Sequence, residues 1–319
     1  MKRAGGIGRL WVFFIFLLAA GQGKAEELII FHAGSLTVPF ARIIEDFRKE
    51  NPGITVLREI AGSRECARKI SELKKPCDVF ASADYQVIDT LLIPQNADWN
   101  LKFATNEMTI VYRRQSRYAP DFNTGNWFKI LARSDVAVGR SDPDMDPCGY
   151  RTILTLRLAE IFLRTPGLAD SILKKTNRLI RPKEVDLLAL LETGAVDYLF
   201  LYRSVAEQHG LKFLTLPDEI NLSNADLESY YQQVSVELSG TEPGRRISQK
   251  GSSMVYGVTI PRNAPNRLLA NKFIHYLMHP DKGLRIMRQM GQPTVVPSRT
   301  NTYNRLPAEF KTYARPMDR

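Results

Sequence analysis

Along this chain, short unbroken apolar runs give way again and again to stretches of helical spacing. Residues 27–33 (ELIIFHA) read as a buried strand, and residues 37–50 put Phe40, Ile43, Ile44 and Phe47 on one helix face before Asn51-Pro52-Gly53 ends it. The same alternation follows twice more. Residues 54–60 (ITVLREI) predict a strand, Ala61-Gly62-Ser63 opens a helix over 64–75, and residues 78–83 (DVFASA) form a third strand ahead of a helix at 85–92. This βαβα order predicts an α/β protein with a mostly parallel sheet and helices on both faces.

A second series begins further on, with a strand at 136–141, helices at 149–164 and 184–192, and a strand at 196–202. Residues 254–260 (MVYGVTI) then lead into helical patterns at 266–279 and 282–290. Two apolar segments, 103–113 (FATNEMTIVYR) and 253–261 (SMVYGVTIP), suit strands that pass between lobes. Two α/β lobes joined by two crossings make a clam-shell with a cleft. The expected division is residues 27–108 with 259–319 in one lobe and 109–258 in the other. There is no internal repeat and no low-complexity tract.

Composition adds limits to this picture. With 319 residues, 44% hydrophobic and 24% charged, the chain can bury an ordinary globular core in two lobes. Residues 1–25 stand apart: Lys2, Arg3 and Arg9 precede LWVFFIFLLAA, and Gly23 and Ala25 suit cleavage before Glu26. The apolar run is short for a membrane span, which needs about 20 residues. A secretory signal and an extracytoplasmic or periplasmic location are therefore expected, with an uncleaved anchor as the alternative. Because no Cys follows the run, a lipid anchor is not indicated.

Removing the four cations Lys2, Arg3, Arg9 and Lys24 lowers the net charge from +10 to +6, which favours anionic small ligands through long-range steering. Nucleic acid is not expected, since no basic run is interleaved with stacking aromatics. The three cysteines, Cys66, Cys77 and Cys148, are too few for a disulfide scaffold, although one pair could bridge in an oxidising compartment.

The turns after the strands carry the candidate chemistry. In open α/β sheets ligands sit beyond the carboxyl ends of the strands, at helix N-termini. Gly34-Ser35 and Gly62-Ser63 repeat one device there: a glycine that admits close approach, helix N–H groups and a serine hydroxyl. Serine is also an ordinary N-cap, but two such turns in one lobe favour a small oxyanion.

The second lobe offers SDPDMDPCGYRT. Asp142, Asp144 and Asp146 resemble the opening of a calcium loop, yet Pro147 stands where Gly is needed and Ile153 where Glu is needed, so calcium is rejected. Asp146 could cap the helix after it, and Glu184 lies where a helix dipole favours a carboxylate. Acids beside a fully ionised oxyanion need a reason, because like charges repel. Hydrogen phosphate could donate its proton to one. A high-valent metal centre could instead take carboxylate oxygens as additional ligands, which accounts for two acids more naturally.

Enzymatic readings find less support. His275 and His279 have the i, i+4 spacing of a helical metal pair, but the Glu of HExxH is missing. Neither a GxSxG elbow nor a Walker loop occurs, so no catalytic activity and no ATP hydrolysis are expected of this chain.

Taken together, FHAGSLTVPF, REIAGSRECARKI, DVFASADYQVI, DPCGYRT, KEVDLLALLETGAVDYLFLYRSVAEQH and YGVTIPRNAP resemble the tungstate/molybdate-binding proteins of the WtpA type, across most of residues 28–297. That resemblance implies a two-lobed periplasmic-binding-protein type II fold with two crossover strands. It also implies a monomer without cofactor that passes the oxyanion to an ABC permease with a separate ATPase subunit. It further implies that Ser35, Ser63, backbone N–H near Cys148, and Tyr202 hold the ligand. Asp146 and Glu184 would raise the Mo or W centre from four to six oxygen neighbours, with Asp144 and Glu192 as alternative acids. The segment between the acids is shorter than the family pattern, and Cys77 is additional. Other anions, such as phosphate or sulfate, and a membrane-anchored sensor remain the alternative readings.

Overall fold

The computed structural model describes residues 26–240, 242 and 244–317, so the expected signal at 1–25 lies outside the described residues. The strands that position the site are β1 (Glu27–Ala33), β2 (Thr55–Ala61), β3 (Val79–Ser82), β4 (Leu101–Thr105), β5 (Met108–Tyr112) and β6 (Val138–Ser141). They continue as β7 (Ile180–Arg181), β8 (Tyr198–Tyr202), β9 (Lys212–Thr215), β10 (Ser235–Ser239), β11 (Arg246–Lys250) and β12 (Val255–Thr259). The helices used below are α1 (Thr37–Glu50), α2 (Ser63–Ser71), α3 (Tyr85–Leu91), α4 (Trp127–Ala132) and α5 (Pro147–Phe162).

The fold is two-lobed, with one five-stranded sheet in each lobe. The first sheet has the order β2-β1-β3-β12-β4, with β1 parallel to β2 and β3 and β12 antiparallel to β3 and β4. The second has the order β7-β6-β8-β5-β9, with β6 parallel to β7 and β8 and β5 antiparallel to β8 and β9. Each sheet is thus mostly parallel, as expected, with four strands running one way and a single strand, β12 or β5, against them. The reason is the crossings: β5 and β12 each enter a sheet from the other lobe, at the end where the parallel strands finish, and so run against them.

The chain changes sheets at Asn106-Glu107, between β4 and β5, and again in 251–254, ahead of β12. The expected lobe boundaries at 108/109 and 258/259 therefore fall inside strands. Each crossing is a short link tied to its surroundings. Asn106 Nδ2 donates to Ser204 Oγ at 2.7 Å and to Tyr256 Oη at 2.8 Å, and Met254 N–H donates to the Leu222 carbonyl at 2.8 Å.

Helix α1 follows its apolar spacing: Phe40, Ile43, Ile44 and Phe47 are all buried, and Phe47 meets Phe273 and Tyr276 edge-on at 5.3 and 5.4 Å. Each such side chain contributes roughly 1.5–3 kcal/mol on burial. The helical pattern at 184–192 opens instead as a 3₁₀ turn, Glu184–Leu187, followed by an α-helix over Leu188–Thr193. The β10–β11 hairpin was not foreseen. Its end reaches across to α2, where Arg64 and Arg68 donate to the Ser239 carbonyl.

Cys66, Cys77 and Cys148 are all buried free thiols, with no bridge between any two. Among the described residues no helix is long and apolar enough to cross a membrane.

Candidate functional site

Strand β1 ends at Ala33, and Gly34–Leu36 make a 3₁₀ turn into α1. A methyl group on Gly34 would lie 2.9 Å from both carboxylate oxygens of Glu184, which comes from the opposite lobe, so glycine here makes the approach possible. Ser35 is buried, and its Oγ accepts from Tyr256 Oη at 3.0 Å. Since that tyrosine accepts in turn from Asn106, its proton goes to Ser35, whose own proton is left for another acceptor.

The second turn is built similarly. Ser63 begins α2 and is fully buried, and its Oγ accepts from the Ala83 N–H at 2.9 Å. The helix amides behave otherwise than expected: the Arg64 and Glu65 N–H groups donate to the Met145 carbonyl across the lobes, at 3.0 and 3.1 Å. Those helix donors bind the lobes together. Gly62 is required for the same closeness, since a methyl group there would run into Met145 O.

On the second lobe Asp146 is the N-cap of α5, with Pro147 in the first turn. Its Oδ1 accepts from Cys148 N–H at 3.4 Å and its Oδ2 from Glu184 N–H at 3.0 Å, so the capping role is real and also ties the two acids together. Asp146 and Glu184 are both 0% exposed. Neither carboxylate oxygen of Glu184 has a hydrogen-bond partner. Burial first, then the neighbouring Asp146, pushes the Glu184 carboxyl well above the usual carboxylate range; burial also raises Asp146. Both Glu184 oxygens are thus left for a ligand.

Tyr202 closes β8, fully buried, and its Oη accepts from Arg151 Nη1 at 3.0 Å. Asp146 thus touches Cys148 and Glu184 directly, Gly34 brings Glu184 beside the Ser35 turn, and Arg151 with Ala83 links Tyr202 to Ser63. The alternative acids are elsewhere. Asp144 is partly exposed, accepts from Ser239 N–H at 2.7 Å and pairs with Arg246, while Glu192 is exposed on the helix of residues 188–193.

Arg151, Asp84 and Tyr150 carry no mark in the sequence pattern, yet they border the site. Arg151 is 2% exposed and also donates to the Ala83 carbonyl at 2.8 Å, and Tyr150 Oη donates to the Asp84 carboxylate. The available signal was positional alone, an arginine three residues after Cys148, in the first turns of α5. The histidine pair is not a metal pair. His275 bonds Tyr313 Oη at 2.8 Å, and His279 lies past the helix end, accepting from Asp281 N–H. Among the described residues no group of three or more His, Cys, Asp or Glu could hold a metal ion.

This donor set suits an oxyanion, with hydroxyls free to donate and one buried guanidinium nearby. The unpartnered Glu184 carboxylate additionally calls for a ligand that can accept its oxygen or share a proton with it.

The family model of bacterial extracellular solute-binding proteins matches residues 28–291. A solute-binding protein of Petrotoga mobilis is 43% identical, covering 95% of each chain. The molybdate/tungstate-binding protein WtpA of Pyrococcus abyssi is 38% identical, covering 96% of each. Among solved structures, the periplasmic molybdate-binding protein of Azotobacter vinelandii has a TM-score of 0.60 at 16% identity, over 83% of this chain and 98% of the other. The sulfate-binding protein SubI of Mycobacterium tuberculosis also has a TM-score of 0.60, at 12% identity, over 85% and 87%. With a family model matched over residues 28–291 and relatives about 40% identical along nearly the whole chain, the chain belongs to the bacterial extracellular solute-binding proteins.

Proposed function

We propose that this protein captures molybdate or tungstate outside the cytoplasm and delivers it, as a monomer, to a membrane permease driven by a separate ATPase subunit. The observation that carries this reading is the buried Glu184 carboxylate, whose two oxygens have no partner although they lie against the Gly34-Ser35 turn. Fold similarity cannot choose the ligand, because molybdate- and sulfate-binding structures resemble the chain equally in TM-score. The side chains must. The names of the 38%-identical relatives from Pyrococcus abyssi and Thermococcus kodakarensis favour the same ligand class.

In this reading Ser35, Ser63, Tyr202 and the backbone near Cys148 donate to the oxyanion. Asp146 and Glu184 supply carboxylate oxygens to the Mo or W centre, raising it from four to six oxygen neighbours. Residues 27–105 and 255–317 move as one lobe against the rest, about Asn106-Glu107 and 251–254. The closed form is selected because only it brings both lobes' groups to the ligand. Closure replaces the anion's water shell with fixed donors, and no chemistry is done on the ligand.

Calorimetric titration of the chain from Glu26 onward with molybdate, tungstate, sulfate and phosphate tests this. Tight binding of the first two with little response to the others supports it. Preference for phosphate or sulfate leaves a solute-binding protein but overturns the role of the two acids toward a metal centre.

A further inference from the structure

The three hydroxyls of the site share an arrangement. Each accepts one hydrogen bond from a buried donor: Ser35 from Tyr256 Oη at 3.0 Å, Ser63 from Ala83 N–H at 2.9 Å, and Tyr202 from Arg151 Nη1 at 3.0 Å. A hydroxyl has one proton to give. When a neighbour's N–H or O–H already points at the oxygen, that proton is directed away from the neighbour. The surroundings thus turn three ambivalent groups into donors.

For Ser63 the orienting group is main chain, and for Ser35 it is a tyrosine at the crossing. For Tyr202 it is a charged side chain with further connections. Arg151 is 2% exposed, and the same Nη1 donates to the Ala83 carbonyl at 2.8 Å, in the lobe opposite its own helix. Ala83 therefore links two of the hydroxyls, its N–H donating to Ser63 and its C=O accepting from Arg151, which donates to Tyr202. Nη2 lies 3.5 Å from Asp84 Oδ2 without a hydrogen bond, and Asp84 also accepts from Tyr150 Oη. The guanidinium can occupy this position only when the lobes are together.

We propose that Arg151 is a positioning residue: it turns the Tyr202 hydroxyl proton toward the anion and, through Ala83 and Asp84, makes that orientation conditional on lobe closure. The proposal rests on the anion-binding reading given above. Arg151 needs no contact with the ligand, and its effect on affinity passes through Tyr202 and the closed interface. Lysine cannot reproduce it fully, because a point charge on a flexible stem lacks the planar fork that reaches two acceptors and a carboxylate together.

The test is a double-mutant cycle on tungstate affinity, by calorimetry, using Arg151→Met, Tyr202→Phe and the pair, with thermal melting to confirm that each variant folds. Losing an oriented buried hydrogen bond corresponds to about 1–3 kcal/mol, so each single variant should weaken binding by roughly 5- to 150-fold. The expected result is strong non-additivity: once Tyr202 is Phe, Arg151→Met should cost several-fold less than in the parent. Arg151→Lys should recover part of the affinity and gives the same cycle should Arg151→Met fail to fold. Equal costs in both backgrounds would overturn the positioning role. A parent protein that binds none of the four oxyanions would overturn the functional reading itself, a result distinguishable before any variant is made.

Discussion

Replacing Glu184 with glutamine separates the role of charge from the role of shape. The two side chains have nearly the same volume, so the close approach to Gly34, 2.9 Å from each oxygen to the position of a methyl group, is preserved. What changes is a carboxyl group that is 0% exposed and whose two oxygens have no hydrogen-bond partner. If that pair becomes a ligand of the metal centre, its loss resembles truncation of one member of a buried charged pair, about 2–5 kcal/mol. At 1.4 kcal/mol per tenfold, tungstate affinity should fall by roughly 30-fold to a few thousand-fold.

Sulfate should respond in the opposite direction. It cannot bond to a carboxylate and is repelled by it, so a neutral amide with an N–H to donate should improve sulfate binding by about tenfold. Calorimetric titration of parent and variant with both anions reads the ratio directly. Tungstate binding within about threefold of the parent, or a joint weakening of both anions, would refute a ligating role for the Glu184 carboxylate. A stability effect accompanies this. The folded protein holds the Glu184 carboxyl above its ordinary range, so the parent loses stability as pH rises from about 4.3 toward the folded value, whereas the glutamine variant does not. In chemical denaturation of the ligand-free closed form, the variant should match the parent near pH 4 and exceed it at pH 8.

Further outcomes follow from neighbouring residues. Gly34→Ala puts a methyl group 2.9 Å from the Glu184 oxygens, so tungstate binding should fall at least tenfold in calorimetry. Ser35→Ala and Ser63→Ala each remove one oriented donor and should each weaken tungstate binding about fivefold to tenfold, near 1–1.4 kcal/mol; an unchanged Kd in either would remove that serine from the site. Burial, with Arg58 nearby, lowers the pKa of His32 to about 3, so His32 is neutral at physiological pH, accepting from Arg58 Nε and bonding the Ala33 carbonyl. Its contribution to stability is present above about pH 6.5 and should be lost as pH falls toward 3, by several kcal/mol at most. Denaturation of His32→Gln against pH should show a shallower acid slope than the parent.

Much of the fold could be read from local pattern. The apolar face of α1 and the βαβα order needed only period and punctuation, and β1, β2 and β3 lie where their apolar runs end in Gly or Ser. Strand direction was less accessible. Whether β5 and β12 run parallel or antiparallel to their neighbours depends on which lobe the chain comes from, a non-local fact that no window of residues contains. The 3₁₀ turn at Glu184 escaped for a similar reason. Its geometry is set by the Asp146 carboxylate that accepts the Glu184 N–H from 38 positions away.

The site divides along the same line. Gly34, Ser35, Gly62 and Ser63 stand out because each glycine-serine pair marks a turn between strand and helix. Asp146 carries its cap signature next to Pro147. By contrast Arg151, Asp84 and Tyr256 look like ordinary helix or strand residues, and only tertiary contact shows that they fill the acceptor sides of Tyr202 and Ser35 or span the lobes. Tyr256 and Ser35 are separated by 221 positions yet share one hydrogen bond.

In the proposed complex a buried carboxylate pair binds the metal centre of the anion directly. X-ray absorption at the tungsten edge of the tungstate-loaded protein counts the oxygen neighbours of that centre. Six are expected in the parent and fewer in Glu184→Gln; four short tungsten–oxygen bonds in the parent, unchanged in the variant, would contradict direct ligation by the carboxylates.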